Sequence, residues 1–167
     1  MESDFQFSDN LDRDTSEYRI HVAISDYLNG RKRKGNQIFD GTQPFPGMLV
    51  THAYQGRSKE EGFFLKALGV KPGIADLLCF YRGVSQPYEV SFLEVKKIGG
   101  VQSPPQKKVM GACHALGIPY AIVRSVKEAH QHFIGRGLKP AHSAIVEPDI
   151  RTDSEKKQDA FDMQRPL

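Results

Sequence analysis

Ile20, Ile24, Tyr27 and Leu28 recur at helical spacing and predict a helix of about three turns. Asp14-Thr15-Ser16-Glu17 supplies a start resembling a capping box, and Asn29-Gly30 a stop. Arg31-Lys32-Arg33-Lys34-Gly35 reads as a basic loop. Residues 36–46, with Gly41, Pro44 and Pro46, read as irregular. Met48 to His52 predicts a short strand, and Ser58 caps a predicted helix from Lys59 to about Leu68, closed by Gly69. After the turn Val70-Lys71-Pro72-Gly73, the run from Ile74 to Tyr81 is apolar except for Asp76. It is too short for a helix and reads as a buried strand. Gly83 to Pro87 connects it to a second strand, Tyr88 to Lys97, which sets Val90, Phe92 and Glu94 against Ser91, Leu93 and Val95. Pro104-Pro105 opens a helix running to about Leu116, Tyr120 to Arg124 is a strand, and Val126 to Ile134 is a helix ended by Gly135.

That order predicts an α/β sheet with helices on both faces. It assigns one domain, 14–140, between an acidic arm at 1–13 and a polar tail at 141–167. A length of 167 residues is enough for one buried core. No apolar run reaches the roughly 18 residues of a membrane span. The first residues carry no apolar stretch of a secretory signal. Cys79 and Cys113 lie in apolar surroundings without metal-ligand spacing, so a reduced, cytoplasmic setting is expected.

The formal charge of +3 is unevenly spread. Residues 17–146 hold eighteen bases against nine acids, a net +9, while both ends are acidic. A basic core between acidic ends points to an anionic partner, nucleic acid first, with simple solubilising charge as the alternative.

Asp76 interrupts an apolar strand, where an unpaired carboxylate costs several kcal/mol, roughly, and needs compensation. Glu94 and Lys96 stand two apart on the strand paired with it, hence on one face. Two carboxylates and an ammonium therefore converge at a sheet edge. That set suits a hard divalent cation such as Mg²⁺ or Mn²⁺, or equally a metal-free Asp–Lys–Glu salt-bridged trio. Glu17 is in phase with the apolar stripe of the first helix and points toward the sheet, unless it only completes the capping box. Lys97, Lys107 and Lys108 add positive charge beside this cluster, as a polyanionic substrate would require. Arg31, Lys32, Arg33 and Lys34 form a second basic run, either a backbone contact or a solvated loop. His52 lies at a strand end, followed by Gln55, Gly56 and Arg57. His130 and His132, two apart on a helix, face differently and do not read as ligands.

Gly73-Ile74-Ala75-Asp76 followed by Phe92-Leu93-Glu94-Val95-Lys96-Lys97 resembles the PD-(D/E)xK nuclease signature. With Leu65 to Gly73, Ser103, Gln106 and Ala121-Ile122-Val123-Arg124-Ser125, the chain resembles more narrowly the VRR-NUC family of that superfamily, over Glu17 to Phe133. Ala75 departs from the family pattern, which usually has proline there. The resemblance implies a restriction-endonuclease-like core with a mixed central β-sheet flanked by helices. It implies that Asp76, Glu94 and the Val95 carbonyl ligate Mg²⁺ or Mn²⁺, with Glu17 completing the site. It further implies that Lys96 orients and helps deprotonate the attacking water, which requires a lowered pKa. Gln106 would contact the water or phosphate, Ser103 would cap its helix or touch phosphate, and Arg57 would border the substrate channel. Stand-alone members resemble Holliday junction resolvases. The expected function is thus a metal-dependent, structure-specific DNA endonuclease, active as a homodimer on four-way junctions. A flap or duplex nuclease and a non-catalytic nucleic-acid-binding module are the alternatives.

Overall fold

The computed structural model describes residues 16–34, 37–53, 66–67, 69–84 and 86–141. The expected arm, most of the tail, and all but residues 66 and 67 of the helix expected at 59–68 lie outside this set, as does Arg57.

Helix α1 spans Ser16–Leu28 and presents Ile20, Ile24 and Leu28 to the core, each buried. It stops at Gly30, whose φ of +66° suits glycine, and whose missing side chain leaves room for the amide nitrogen of Gln43. Strands β1 (Arg31–Lys34) and β2 (Gln37–Asp40) then pair antiparallel as a separate two-stranded sheet, with Lys32 opposite Phe39 and Arg33 opposite Ile38. This corrects the expected basic loop and irregular stretch. All eight residues are exposed, so no buried face imposed an alternation that pattern reading could detect. The hairpin is held to α1 by the guanidinium of Arg33, which donates from two nitrogens to the Asp26 carboxylate.

The main sheet contains β3 (Leu49–His52), β4 (Leu77–Tyr81), β5 (Glu89–Val95) and β6 (Tyr120–Val123), in the order β3-β4-β5-β6. The first two pairings are antiparallel, and β5 runs parallel to β6. The parallel step needs a crossover, supplied by α2 (Pro104–Ala115), and α3 (Val126–Gly135) follows β6. Strand β4 begins at Leu77, so Asp76 sits just before the strand rather than within it.

The two faces of β5 separate the layers. Ser91, Leu93 and Val95 face the main core, with Leu77, Cys79 and Tyr81 of β4 and residues of α1 and α3, including Phe133 and Ala129. Each large apolar side chain fully buried there contributes ~1.5–3 kcal/mol relative to exposure. Cys79 is a free thiol in this layer, and burial pushes it up to about 12. The opposite face carries Phe92 and Glu94 toward α2. The expected mixed sheet with helices on both faces is therefore present. Among the described residues, no helix is long and apolar enough to cross a membrane.

Polar side chains inside the main layer are paired. Tyr27 Oη lies 2.6 Å from His130 Nδ1, linking α1 to α3. Ser91 Oγ lies 2.7 Å from Tyr81 Oη and 3.1 Å from His132 Nε2. Both helical histidines thus have hydrogen-bond partners on neighbouring elements. Burial, with the Arg136 charge second, holds the His132 pKa below the ordinary imidazole range. The unfolded chain binds that proton at higher pH than the folded one, so this contribution is full above about pH 6.5 and is lost as pH falls through the folded value. Urea denaturation at pH 7.5 and 5 should show a smaller acid-induced loss of stability in His132→Gln than in the parent. An equal loss in both would exclude His132 as a contributor.

Candidate active site

The site is built where β5 ends and β4 begins. Glu94 is fully buried. Its Oε1 meets Lys96 Nζ at 2.8 Å and accepts a hydrogen bond from the Gln106 amide. Its Oε2 accepts one from Tyr120 Oη at 3.2 Å. The i, i+2 relation on β5 brings Glu94 and Lys96 together, as the strand pleat requires. Lys96 continues to the first turn of α1, where its Nζ lies 3.1 Å from Glu17 Oε1. Glu17 Oε2 accepts from the backbone amide of Lys97 at 3.2 Å. The in-phase position of Glu17 on α1 thus does aim it at the sheet end.

Asp76 reaches the same place from the other strand. Its Oδ2 accepts the Val95 backbone amide at 2.8 Å, while its own carbonyl accepts from Ala53 at 3.0 Å. Asp76 therefore extends the β4–β5 ladder with its side chain. The loop before it passes tightly against α2. Gly73 has φ of +80°, and a Cβ there would lie 2.6 Å from the Gln106 amide nitrogen and closer still to the Pro105 carbonyl carbon. That close approach seats Gln106 over the sheet. Ser103 occupies the N-cap of α2, Pro104 and Pro105 its first turn, and Gln106 the third position. Gln106 Oε1 accepts the Ser103 amide at 2.8 Å, leaving the side-chain NH₂ to donate to Glu94. One glutamine thus caps the helix and holds the buried carboxylate.

Burial is the first cause that raises the Glu94 pKa, and the Asp76 charge is the second, while Lys96 and Tyr120 oppose them. For Lys96, burial pulls the pKa down, but hydrogen bonds to Glu94 and Glu17 outweigh it and the net shift is upward. In this metal-free arrangement the two carboxylates favour the charged form of Lys96.

The donor set fits a hard divalent cation. All groups are oxygens, and the mutual repulsion recorded in the raised Glu94 pKa is what a cation shared with Asp76 would relieve. Among the described residues no three His, Cys, Asp or Glu side chains already gather in metal-binding geometry. Glu17 stands beyond Lys96. Asp76 and Glu94, whose charges act on each other, are the carboxylates that would be offered to such an ion.

Lys97, Lys107 and Lys108 are exposed, Lys97 next to Lys96 after β5 and the other two in the first two turns of α2, after Gln106. Arg31, Lys32 and Lys34 are exposed on β1, away from the carboxylates in sequence and sheet, and Arg33 is engaged by Asp26.

Three residues at the site carried no pattern signal as site members. Tyr120 donates to Glu94, and Gln102 donates to the Tyr120 hydroxyl. His21, one turn after Glu17, stacks on His52 with ring centroids 4.7 Å apart and planes at 19°. Burial holds the His21 pKa low, against the pull of the nearby Asp76 charge. The pairing of His21 with His52 depends on β3 passing α1, which no local spacing reveals.

With this geometry, the chain is similar in fold to a solved "VRR_NUC domain protein", at a TM-score of 0.52 and 20% identity, over 78% of this chain and 98% of that one. That likeness shows the fold, a mixed α/β sheet flanked by helices, in agreement with the fold that the sequence resemblance implied. No protein-family model matches the chain, and no curated protein does.

Gly73→Ala should lower stability by about 2 kcal/mol or more, because alanine is strained at positive φ and its methyl meets α2 backbone. Urea denaturation measures this. A midpoint equal to that of the parent would mean that the Gly73–α2 approach does not constrain the site.

Proposed function

We propose that this chain is a divalent-metal-dependent, structure-specific endonuclease that hydrolyses DNA phosphodiester bonds at branch points such as four-way junctions. The observation that carries the reading is the convergence of Asp76, Glu94, Lys96, Glu17 and Gln106 at one end of the sheet. An isolated structural salt bridge needs neither the second carboxylate beside a buried one nor the cationic rim.

Asp76, Glu94 and the Val95 carbonyl would hold Mg²⁺ or Mn²⁺, and Glu17 would complete the acidic set from α1. Bound there, the cation supplies an acidified water, polarisation of the phosphoryl group and charge neutralisation on the departing oxygen. Lys96 orients the attacking water and helps deprotonate it, and its charge balances the carboxylates. Gln106 fixes Glu94 and contributes an amide to the same pocket. Ser103, Lys97, Lys107 and Lys108 contact substrate phosphates. Arg31, Lys32, Arg33 and Lys34 on the β1–β2 hairpin give a second backbone contact, and Arg57 borders the substrate channel. Such contacts position DNA without reading sequence, which favours selection by shape. A junction must be cut on two strands symmetrically, so the active species is a homodimer with a two-fold axis, acting in the cytoplasm.

Linear duplex, flap, splayed-arm and four-way substrates, each with Mg²⁺ or Mn²⁺, distinguish the possibilities. Cleavage is expected to be fastest on the junction. Asp76→Ala should reduce it by at least about 100-fold, since losing an outer-shell partner alone costs 10–100-fold, while junction binding in a gel shift persists. Equal rates on duplex and junction would point to a less selective nuclease. Binding without cleavage by the parent protein would point to a non-catalytic module. Cleavage by Asp76→Ala at the parent rate would refute the assigned site.

A further inference from the structure

Glu94 has one partner that neither the signature residues nor their spacing supplies. Tyr120 opens β6, and the parallel register sets Tyr120 opposite Phe92 and Ile122 opposite Glu94. Tyr120 and Glu94 therefore project from the same face of the sheet, toward α2. The Tyr120 ring lies beside Phe92, with centroids 6.4 Å apart, and its hydroxyl donates to Glu94 Oε2 at 3.2 Å. Behind it, Gln102 Nε2 donates to the same hydroxyl at 3.3 Å, and Gln102 is itself buried. A phenol has one proton. With the Gln102 amide hydrogen on the oxygen lone pair, that proton is directed to Glu94.

A carboxylate has about four acceptor positions. Lys96 and Gln106 use Oε1, and Tyr120 uses one position on Oε2, so Oε2 retains an open position. Both oxygens are thereby fixed in rotation about the terminal bond.

We propose that Tyr120, oriented by Gln102, is a positioning residue of the metal centre: by donating to Oε2 it holds the Glu94 carboxylate in one fixed orientation, with an acceptor position left for a cation. The inference rests on the reading of Asp76 and Glu94 as metal ligands. Partners that hydrogen-bond a ligating carboxylate typically change metal affinity by 10–100-fold when removed.

The test is Mn²⁺ binding to the full chain by calorimetry, with the Mn²⁺ dependence of junction cleavage measured in parallel. Glu94→Ala should lose Mn²⁺ binding. Tyr120→Phe, which keeps the ring and removes only the hydroxyl, should bind Mn²⁺ about ten-fold or more weakly. Its cleavage should recover as Mn²⁺ is raised, a rescue that a general packing defect would not show. Gln102→Met keeps the phenol but frees its proton, and should weaken Mn²⁺ in the same direction by a smaller factor. If Glu94→Ala loses Mn²⁺ while Tyr120→Phe binds like the parent, the positioning role is wrong and the metal centre stands. If Glu94→Ala binds Mn²⁺ like the parent, the metal centre itself is wrong and the inference falls with it. Should Tyr120→Phe fail to fold, unchanged affinity in Gln102→Met overturns the proposal.

Discussion

A carboxylate with no solvent exposure at the end of a sheet governs this structure. Taking Glu94 out of water unpaired would cost several kcal/mol, roughly, and removing one partner of a buried pair costs ~3–5 kcal/mol. Each surrounding element contributes something to offset that penalty. The pleat of β5 supplies Lys96, the cap of α2 supplies Gln106, and the register of β6 supplies Tyr120. Lys96 in turn anchors Glu17 and so ties the start of α1 to the sheet. Folding and candidate chemistry therefore draw on the same contacts. The carboxylate that would hold a cation is also the one that the fold must satisfy without it.

Much of this was legible in the sequence, because it follows from short-range geometry. Period two placed Glu94 and Lys96 on one face, a single acid in an apolar run marked Asp76, and the Pro-Pro helix start located Gln106. What stayed hidden depends on contacts between distant segments or on net charge balance. The Arg31–Lys34 strand has no buried side, and its pairing with Gln37–Asp40 leaves no hydrophobic alternation to read. Asp76 was displaced from the strand by only one position, because its side chain rather than its backbone continues the ladder. Tyr120 looked like an ordinary strand aromatic until the β5–β6 register put its hydroxyl on Glu94. The His21–His52 stack joins α1 to β3, 31 positions apart in the chain. For Lys96, burial pulls the pKa down and the two carboxylates that hold it pull it up, a balance that no local spacing shows.

The charge pattern takes its meaning from the same centre. The basic middle of the chain includes Glu17, Asp76 and Glu94, which would repel a phosphate if left uncompensated. Lys96 offsets part of that charge, and a divalent cation would offset the remainder. The exposed lysines of α2 and of the β5 end could then act on a polyanion without opposition. The likeness to the VRR_NUC domain protein supports the fold on which this arrangement rests, and the chemistry rests on the residues themselves.

The most direct measurement is an anomalous difference map from crystals of the full chain soaked in Mn²⁺. The expected result is a peak between the Asp76 and Glu94 carboxylates and the Val95 carbonyl, at metal–oxygen distances of roughly 2.0–2.3 Å. Lys96 Nζ should remain within reach of Glu94 or Glu17. A map with no peak there, with Glu94 still held only by Lys96, Gln106 and Tyr120, would mean that the cluster is a structural salt-bridge network and not a metal centre.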